Sequence, residues 1–336
     1  MSGLSGFDSF LGNPRATSIL KRAVKMGRLP HAWIFAGPDG VGKKSLAVLL
    51  ARRLNCLEPR GEDPCARCLS CRKIDAGSHP DLLVVEPDKT YIKIEQVRAV
   101  IREVAYRPFE GKYRVVIFDG AERMRQEAAN SLLKTLEEPS STTVLVLVTT
   151  QPYALLLTIR SRAQLLQFNA ISPDRIAEYM VGRLGRKEEE ARLAAAFSNG
   201  SLTAALEFDV GSFRAIRSNA LRFVSLLLHE RSFAEASSMA GAIAKDKDGF
   251  IAWLGAVDGL LREIYYSRVA EWRTSQPDIA REVATLSARV SQAQIVSAIR
   301  GFGSLRRSMN YNLNRQIALE SLFVTLGRAE ESDRRR

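Results

Sequence analysis

The stretch Gly37–Cys56, GPDGVGKKSLAVLLARRLNC, decides how the rest of the chain is read. Before it lies a short apolar run, AWIFA (Ala32–Ala36), and within it a helical pattern, KSLAVLLARRL, begins. Glycines at 37, 40 and 42 let backbone N–H groups turn inward around phosphate oxygens. Lys43 stands where an ammonium reaches the terminal phosphates, at a helix N-terminus that favours anions. Strand, glycine-rich turn and helix, in that order, are the context a phosphate-binding loop requires. One position departs. The residue after the lysine is ordinarily Ser or Thr, whose hydroxyl ligates Mg2+. Here it is Lys44, which has donors only. Ser45 comes one residue late, and a single helical step turns the side chain by about 100°, away from the metal.

Four more strand-like runs follow: DLLVVEP (Asp81–Pro87), YRVVIFDG (Tyr113–Gly120), TTVLVLVTT (Thr142–Thr150) and AQLLQFN (Ala163–Asn169). Several are continuous apolar runs, as expected of strands buried on both faces. Helical patterns such as IEQVRAVIREVAY and AANSLLKTLEE lie between them. Strand alternating with helix predicts a parallel sheet covered on both sides. After about residue 170 the strands stop. Ser172-Pro-Asp174 is a helix start, and a small helical unit runs to about Phe208. Beyond Gly211 come longer amphipathic helices, among them FRAIRSNALRFVSLLLHE and NLNRQIALESLFVTL, and the tail GRAEESDRRR reads as frayed.

The run Val115–Glu122, VVIFDGAE, is the second half of a nucleotide site: an apolar strand ending in Asp119, a carboxylate suited to holding Mg2+ directly or through water. Many ATPases carry a water-activating Glu at the next position, which here is Gly120. Glu122 reads as a solvated or helix-capping carboxylate. The four cysteines, Cys56, Cys65, Cys68 and Cys71, share one segment with spacing C-x8-C-x2-C-x2-C. Four thiolates so spaced suit a closed tetrahedral Zn2+ site with a structural role. Disulfides are the alternative, which a cytosolic chain disfavours. His79 and His31 read as structural, and three scattered histidines assemble no Ser-His-Asp or Cys-His constellation.

The 336 residues are enough for about two or three domains. Hydrophobic residues make up 46% and charged residues 26%, ordinary values for a soluble protein. No apolar run of about 18 residues predicts a membrane span. The N-terminus, MSGLSGFDSFLGNPR, lacks a basic-then-apolar signal pattern, so the expected location is the cytoplasm. The net charge of +12 favours polyanions, either nucleic acid or an acidic partner surface. Solubility alone accounts for such a charge equally well.

Taken in order, GRLPHAWIFAGPDGVGK, the cysteine insert, VVIFDGAERM, NSLLKTLEEP, LVTTQPYALLLTIRSRA and NRQIALESLF resemble the AAA+ clamp-loader subunits of bacterial DNA polymerase III, most of all those of delta-prime type. The resemblance covers nearly the whole chain and is least specific in the C-terminal third. It implies an α/β AAA+ domain at residues 1–170, a parallel five-stranded sheet with helices on both faces and a zinc insert at 56–71. A small helical lid at 171–210, an all-helical collar at 211–330 and a frayed tail at 331–336 would follow. It implies a ring-like assembly with gamma/tau and delta subunits, acting on the sliding clamp and primer–template DNA. Gly37, Gly40, Gly42, Lys43 and Asp119 match the nucleotide site; Lys44 and Gly120 depart from it. Thr203, in Gly200-Ser-Leu-Thr203, stands where an ATP-contacting Arg of the sensor-2 turn would be, and Thr150 falls in the sensor-1 region. Ser161-Arg162-Ala163 keeps the arginine of the family's Ser-Arg-Cys motif, so Arg162 would act as a finger on a neighbour's ATP. The expectation is a non-hydrolysing, stator-like subunit whose own ATP/Mg2+ binding is weak or absent. Two other readings are an active gamma/tau-type motor, which Lys44, Gly120 and Thr203 oppose, and a stand-alone zinc-containing nucleic-acid-binding protein, which the few aromatics near the insert oppose.

Overall fold

The computed structural model describes residues 5–269, 277–309 and 313–333. They form two compact units, Met1–Phe208 and Asp209–Arg336.

In the first unit, α1 (Pro14–Lys25) leads into β1 (Ala32–Ala36), α2 (Lys43–Leu54) and the short α3 (Leu69–Asp75). Then come β2 (Leu82–Val85), α4 (Ile94–Val104), β3 (Arg114–Asp119), α5 (Gln126–Glu137) and β4 (Thr143–Thr149). A single turn, α6 (Leu157–Arg160), precedes β5 (Gln164–Gln167), and α7 (Pro173–Leu184), α8 (Glu188–Phe197) and α9 (Leu202–Glu207) close the unit. The five strands lie in the order β2-β3-β4-β1-β5, and every neighbouring pair is parallel. This is the α/β architecture expected from the alternating pattern.

The strand sequences show why both faces are covered. Along β1, Trp33 and Phe35 enter one core with Val115, Ile117, Val144 and Val146, beneath α1 and α2. Ala32, Ile34 and Ala36 enter a second core with Val116, Phe118, Leu145 and Leu147, beneath α4 and α5. A period of two feeds two apolar layers at once, which makes β1, β3 and β4 continuous hydrophobic runs. The expectation of two-sided burial fails at the sheet edges: Val84 of β2 and Leu165 of β5 are exposed, because each strand has one neighbour and lacks full cover. Helices α7–α9 contribute Ile176, Met180, Ala191, Ala194 and Ala205 to the first of the two cores.

The second unit is helical: α10 (Val210–Ser225), continued by a π-helical turn at Leu226–Glu230, then α11 (Phe233–Ile243), α12 (Lys247–Val269), α13 (Ala280–Arg289), α14 (Gln292–Ser308) and α15 (Arg315–Asp333). Its core is centred on Phe223, Trp253 and Phe302, with Trp253 edge-on to Phe223 at 5.1 Å between centroids. The tail expected to fray is helical as far as Asp333, where residues of high helix propensity extend α15; residues 334–336 lie outside the described residues. No helix among the described residues is long and apolar enough to cross a membrane.

Candidate functional site

The sheet register brings the sequence-predicted residues together. Ala36, the last residue of β1, pairs with Thr149, and Asp119, the last of β3, pairs with Val148. The glycine loop, Asp119 and Thr149–Thr150 therefore emerge side by side at the carboxyl ends of the strands. That edge is where open parallel sheets bind ligands. A cleft of about 510 Å³ lies there, lined among others by Lys43, Glu86, Asp119, Glu122 and Thr150.

The loop has the predicted backbone. Gly40 sits at φ +69°, and a Cβ there would meet Ser201 Oγ at 1.9 Å. The backbone N–H of Thr203 donates to Gly40 O at 3.2 Å, so the turn opening α9 rests directly on the loop. Lys43 opens α2 and is almost fully buried. Its Nζ donates to Gly37 O (2.8 Å) and Pro38 O (2.5 Å), the carbonyls of its own loop. Burial holds its pKa below the usual lysine value, against the pull of Asp39, Glu122 and Asp119.

Lys44 shows what its sequence position could not. Its ammonium bridges Glu86, just past β2, and Asp119 Oδ2 at 3.2 Å. Burial works against its charge, but Glu86 and Asp119 outweigh that cost and raise its pKa. The residue that cannot ligate a metal is bound to the carboxylate expected to hold one. Gly120 follows at φ +76°, a left-handed conformation that disfavours the Glu expected in an ATPase. Glu122, read as solvated or capping, is half-buried and accepts a hydrogen bond from Thr150 Oγ1 at 2.9 Å. Burial pushes its carboxyl up; its own backbone N–H and the Thr149 and Thr150 hydroxyls more than offset this and hold it below the usual range.

A loop of this type implies a nucleotide with Mg2+. The residues present do not fit the metal: the hydroxyl position is a cation, and Asp119 already carries that cation as its partner.

Arg162 follows α6. Its Nη2 pairs with Glu137 Oε1 at 2.9 Å, and Nη1 donates to Thr158 O (3.2 Å) and Ser161 Oγ (3.1 Å), with the side chain 37% exposed. Arg160 instead lies over the Tyr153 ring, 5.3 Å from its centroid.

The four cysteines converge between α2 and α3, their sulfur atoms all within 4.8 Å of one another. Cys65 N–H donates to Cys56 Sγ (3.2 Å), Cys68 N–H to Cys65 Sγ (3.3 Å) and Cys71 N–H to Cys68 Sγ (3.5 Å). Burial opposes ionisation at Cys56, Cys65 and Cys71. At Cys65, backbone N–H groups and neighbouring thiols overcome it and bring the pKa down to about 6; at Cys71, burial and the adjacent sulfurs push it up. Four crowded thiolates need a cation, and this donor set fits one soft divalent ion. His79 stays apart, its Nδ1 accepting from Asp81 N–H at 3.1 Å.

Sequence reasoning also missed Asp81. Fully buried, it accepts the N–H groups of Phe109 (2.7 Å), Glu110 (2.9 Å) and Gly111 (2.8 Å) and pairs with Arg114 at 3.0 Å. Burial pushes its carboxyl up, and these donors outweigh it to hold it below the usual range.

Residues 12–172 match the family described as DNA polymerase III, delta subunit. DNA polymerase III subunit delta' of Bacillus subtilis is 30% identical over 317 residues, 93% of this chain and 95% of its own. The chain belongs to the clamp-loader AAA+ family of bacterial DNA polymerase III. Subunit delta' of Pseudomonas aeruginosa is 43% identical over 134 residues, 39% of this chain and 41% of its own. Subunit tau/gamma of Haemophilus influenzae is 33% identical over 174 residues, 52% of this chain but 25% of its own length. The first delta' match runs along 93% of this chain and this tau/gamma match along 52% of it.

Proposed function

We propose that the chain is the non-hydrolysing, stator-like subunit of the clamp loader, and that it acts on nucleotide bound by a neighbour. The Lys44–Asp119 ion pair is the observation that carries this reading. The hydroxyl on Mg2+, the water-activating Glu and the sensor Arg are replaced by Lys44, Gly120 and Thr203. Each loss removes preorganised transition-state electrostatics, and removing one such group costs about 3–4 kcal/mol in well-studied enzymes. Hydrolysis in this chain's own cleft is then negligible, and ATP/Mg2+ binding is weak or absent. The glycine loop persists because it joins β1 to α2 and seats α9.

In this reading residues 1–170, 171–210 and 211–330 serve as AAA+ domain, lid and collar, and the four cysteines hold a structural Zn2+. The partners are the gamma/tau and delta subunits, with the sliding clamp and primer–template DNA reached through the complex in the bacterial cytoplasm. Arg162 is the trans-acting finger. Its planar, permanently charged guanidinium suits a neighbour's γ-phosphate. Leaving Glu137 for that phosphate is inexpensive: an exposed ion pair is worth about 0–1 kcal/mol, whereas a trans finger contributes about 10³–10⁵ in rate.

The test is to rebuild the complex with Arg162→Ala and with Arg160→Ala as control. DNA- and clamp-stimulated hydrolysis and clamp loading should both fall with the first and hold with the second. A complex of normal composition with unchanged rates for Arg162→Ala refutes the finger. Turnover by the lone chain near 10 per second, abolished by Lys43→Ala, refutes the stator.

A further inference from the structure

Lys44 joins three elements at the cleft: the first turn of α2, the end of β2 through Glu86 and the end of β3 through Asp119. In a metal-dependent phosphate loop a divalent ion spans the first of these and the last. We propose that the Lys44 ammonium is a built-in counter-ion that replaces the divalent cation of this cleft, so that any nucleotide phosphate entering it is bound without metal.

Three observations carry this. First, the two acids at the strand ends nearest the loop are both engaged by one side chain, which is 28% exposed. Mg2+ needs oxygen ligands at about 2.0–2.1 Å in near-octahedral geometry, and a second cation on the same oxygens meets the ammonium's charge. Second, the third acid, Glu122, already has one oxygen engaged, its Oε1 accepting from Thr150 Oγ1 at 2.9 Å. Third, the loop is held by contacts within the chain: Lys43 bonds to its carbonyls and Thr203 N–H to Gly40 O. The arrangement that a metal would assemble on binding is here part of the folded chain. The inference concerns this chain's own cleft and is separate from Arg162 and from the partners, so either can fail alone.

The experiment uses the purified full chain, zinc-replete, in two measurements. Mn2+ alone is titrated and followed by electron paramagnetic resonance, with Asp119→Asn as control. Mant-ATP binding is followed by fluorescence anisotropy in excess Mg2+ and in EDTA with zinc content checked afterwards. For the native chain the Mn2+ signal should match that of Asp119→Asn, and Mg2+ should change mant-ATP affinity less than threefold. Lys44→Thr, which restores a hydroxyl and releases Asp119, should gain at least tenfold in mant-ATP affinity from Mg2+. Mn2+ held by the native chain and lost in Asp119→Asn overturns the proposal. So does a tenfold Mg2+ dependence in the native chain, or a folded Lys44→Thr with none. Should Lys44→Thr not fold, the two native-chain measurements still decide.

Discussion

Stripping the metal from the cysteine cluster should loosen one loop and leave the sheet standing. The perturbation is Cys71→Ser, at a fully buried ligand position, or chelation of the native chain. The sulfurs form a small cluster of their own, apart from the two cores of the sheet. The insert is tied back by a few polar contacts, such as Arg53 Nη2 to Gly61 O at 2.8 Å and Phe7 N–H to Asp63 Oδ1 at 2.7 Å. A metal clip across the 16-residue loop Cys56–Cys71 acts on global stability chiefly by restricting the unfolded chain, worth about 3 kcal/mol for a loop near this length. For a unit of 150–250 residues, each kcal/mol moves the midpoint by about 2–4 °C, so the expected fall is about 6–12 °C. That is small against the ~10–16 kcal/mol with which structural zinc binds finger peptides. Hydrogen exchange with and without metal is the assay, alongside thermal melts and zinc analysis. Protection should vanish near residues 56–75 and persist in β1, β3 and β4. Loss of protection across those strands on zinc removal refutes the reasoning, as does native protein carrying well under one zinc per chain.

Other substitutions probe the remaining supports. Asp81→Asn removes the buried counter-charge of Arg114, leaving only the more distant, exposed Glu103 at 3.8 Å, and should cost about 3–5 kcal/mol in denaturant unfolding. Because the Asp81 carboxyl is held low, its contribution is full above the ordinary aspartate value and is lost as pH falls through the depressed one. Native stability should therefore decline below about pH 4 more steeply than that of the variant. Gly120→Glu places a side chain at φ +76° and should lower stability by about 1–3 kcal/mol without bringing hydrolysis to the lone chain; measurable turnover would show that the missing glutamate alone silences the site. Glu137→Ala frees Arg162 from an exposed pair and should shift stability by less than about 1 kcal/mol while the rebuilt complex keeps its hydrolysis rate. Loss of activity there would give the pair a role of its own.

Much of the fold was legible because its signals are local. β1 and the interiors of β3 (Val115–Phe118) and β4 (Val144–Val148) are continuously apolar for a reason that acts within each strand, and the glycine loop announces itself in seven residues. What escaped depends on residues brought together from afar. Glu86 lies 42 positions from Lys44, and they meet because the sheet sets β2 beside β3 and the loop two strands away. Neither periodicity nor motif encodes that meeting. Asp81 looked like the polar start of a strand, yet its partners sit 28–33 positions on. Arg160 and Arg162 stand only two positions apart. The turn after α6 sends them opposite ways, one to Tyr153 and the other to Glu137.

The sharing of one apolar core by the sheet and by α7–α9 has a mechanical consequence. Swinging those helices away would expose Ile176, Met180 and the alanine row of α8, and would part Thr203 from Gly40. A push delivered to α7–α9 therefore works against the cost of opening that shared apolar core, which couples it to β1, β3 and β4.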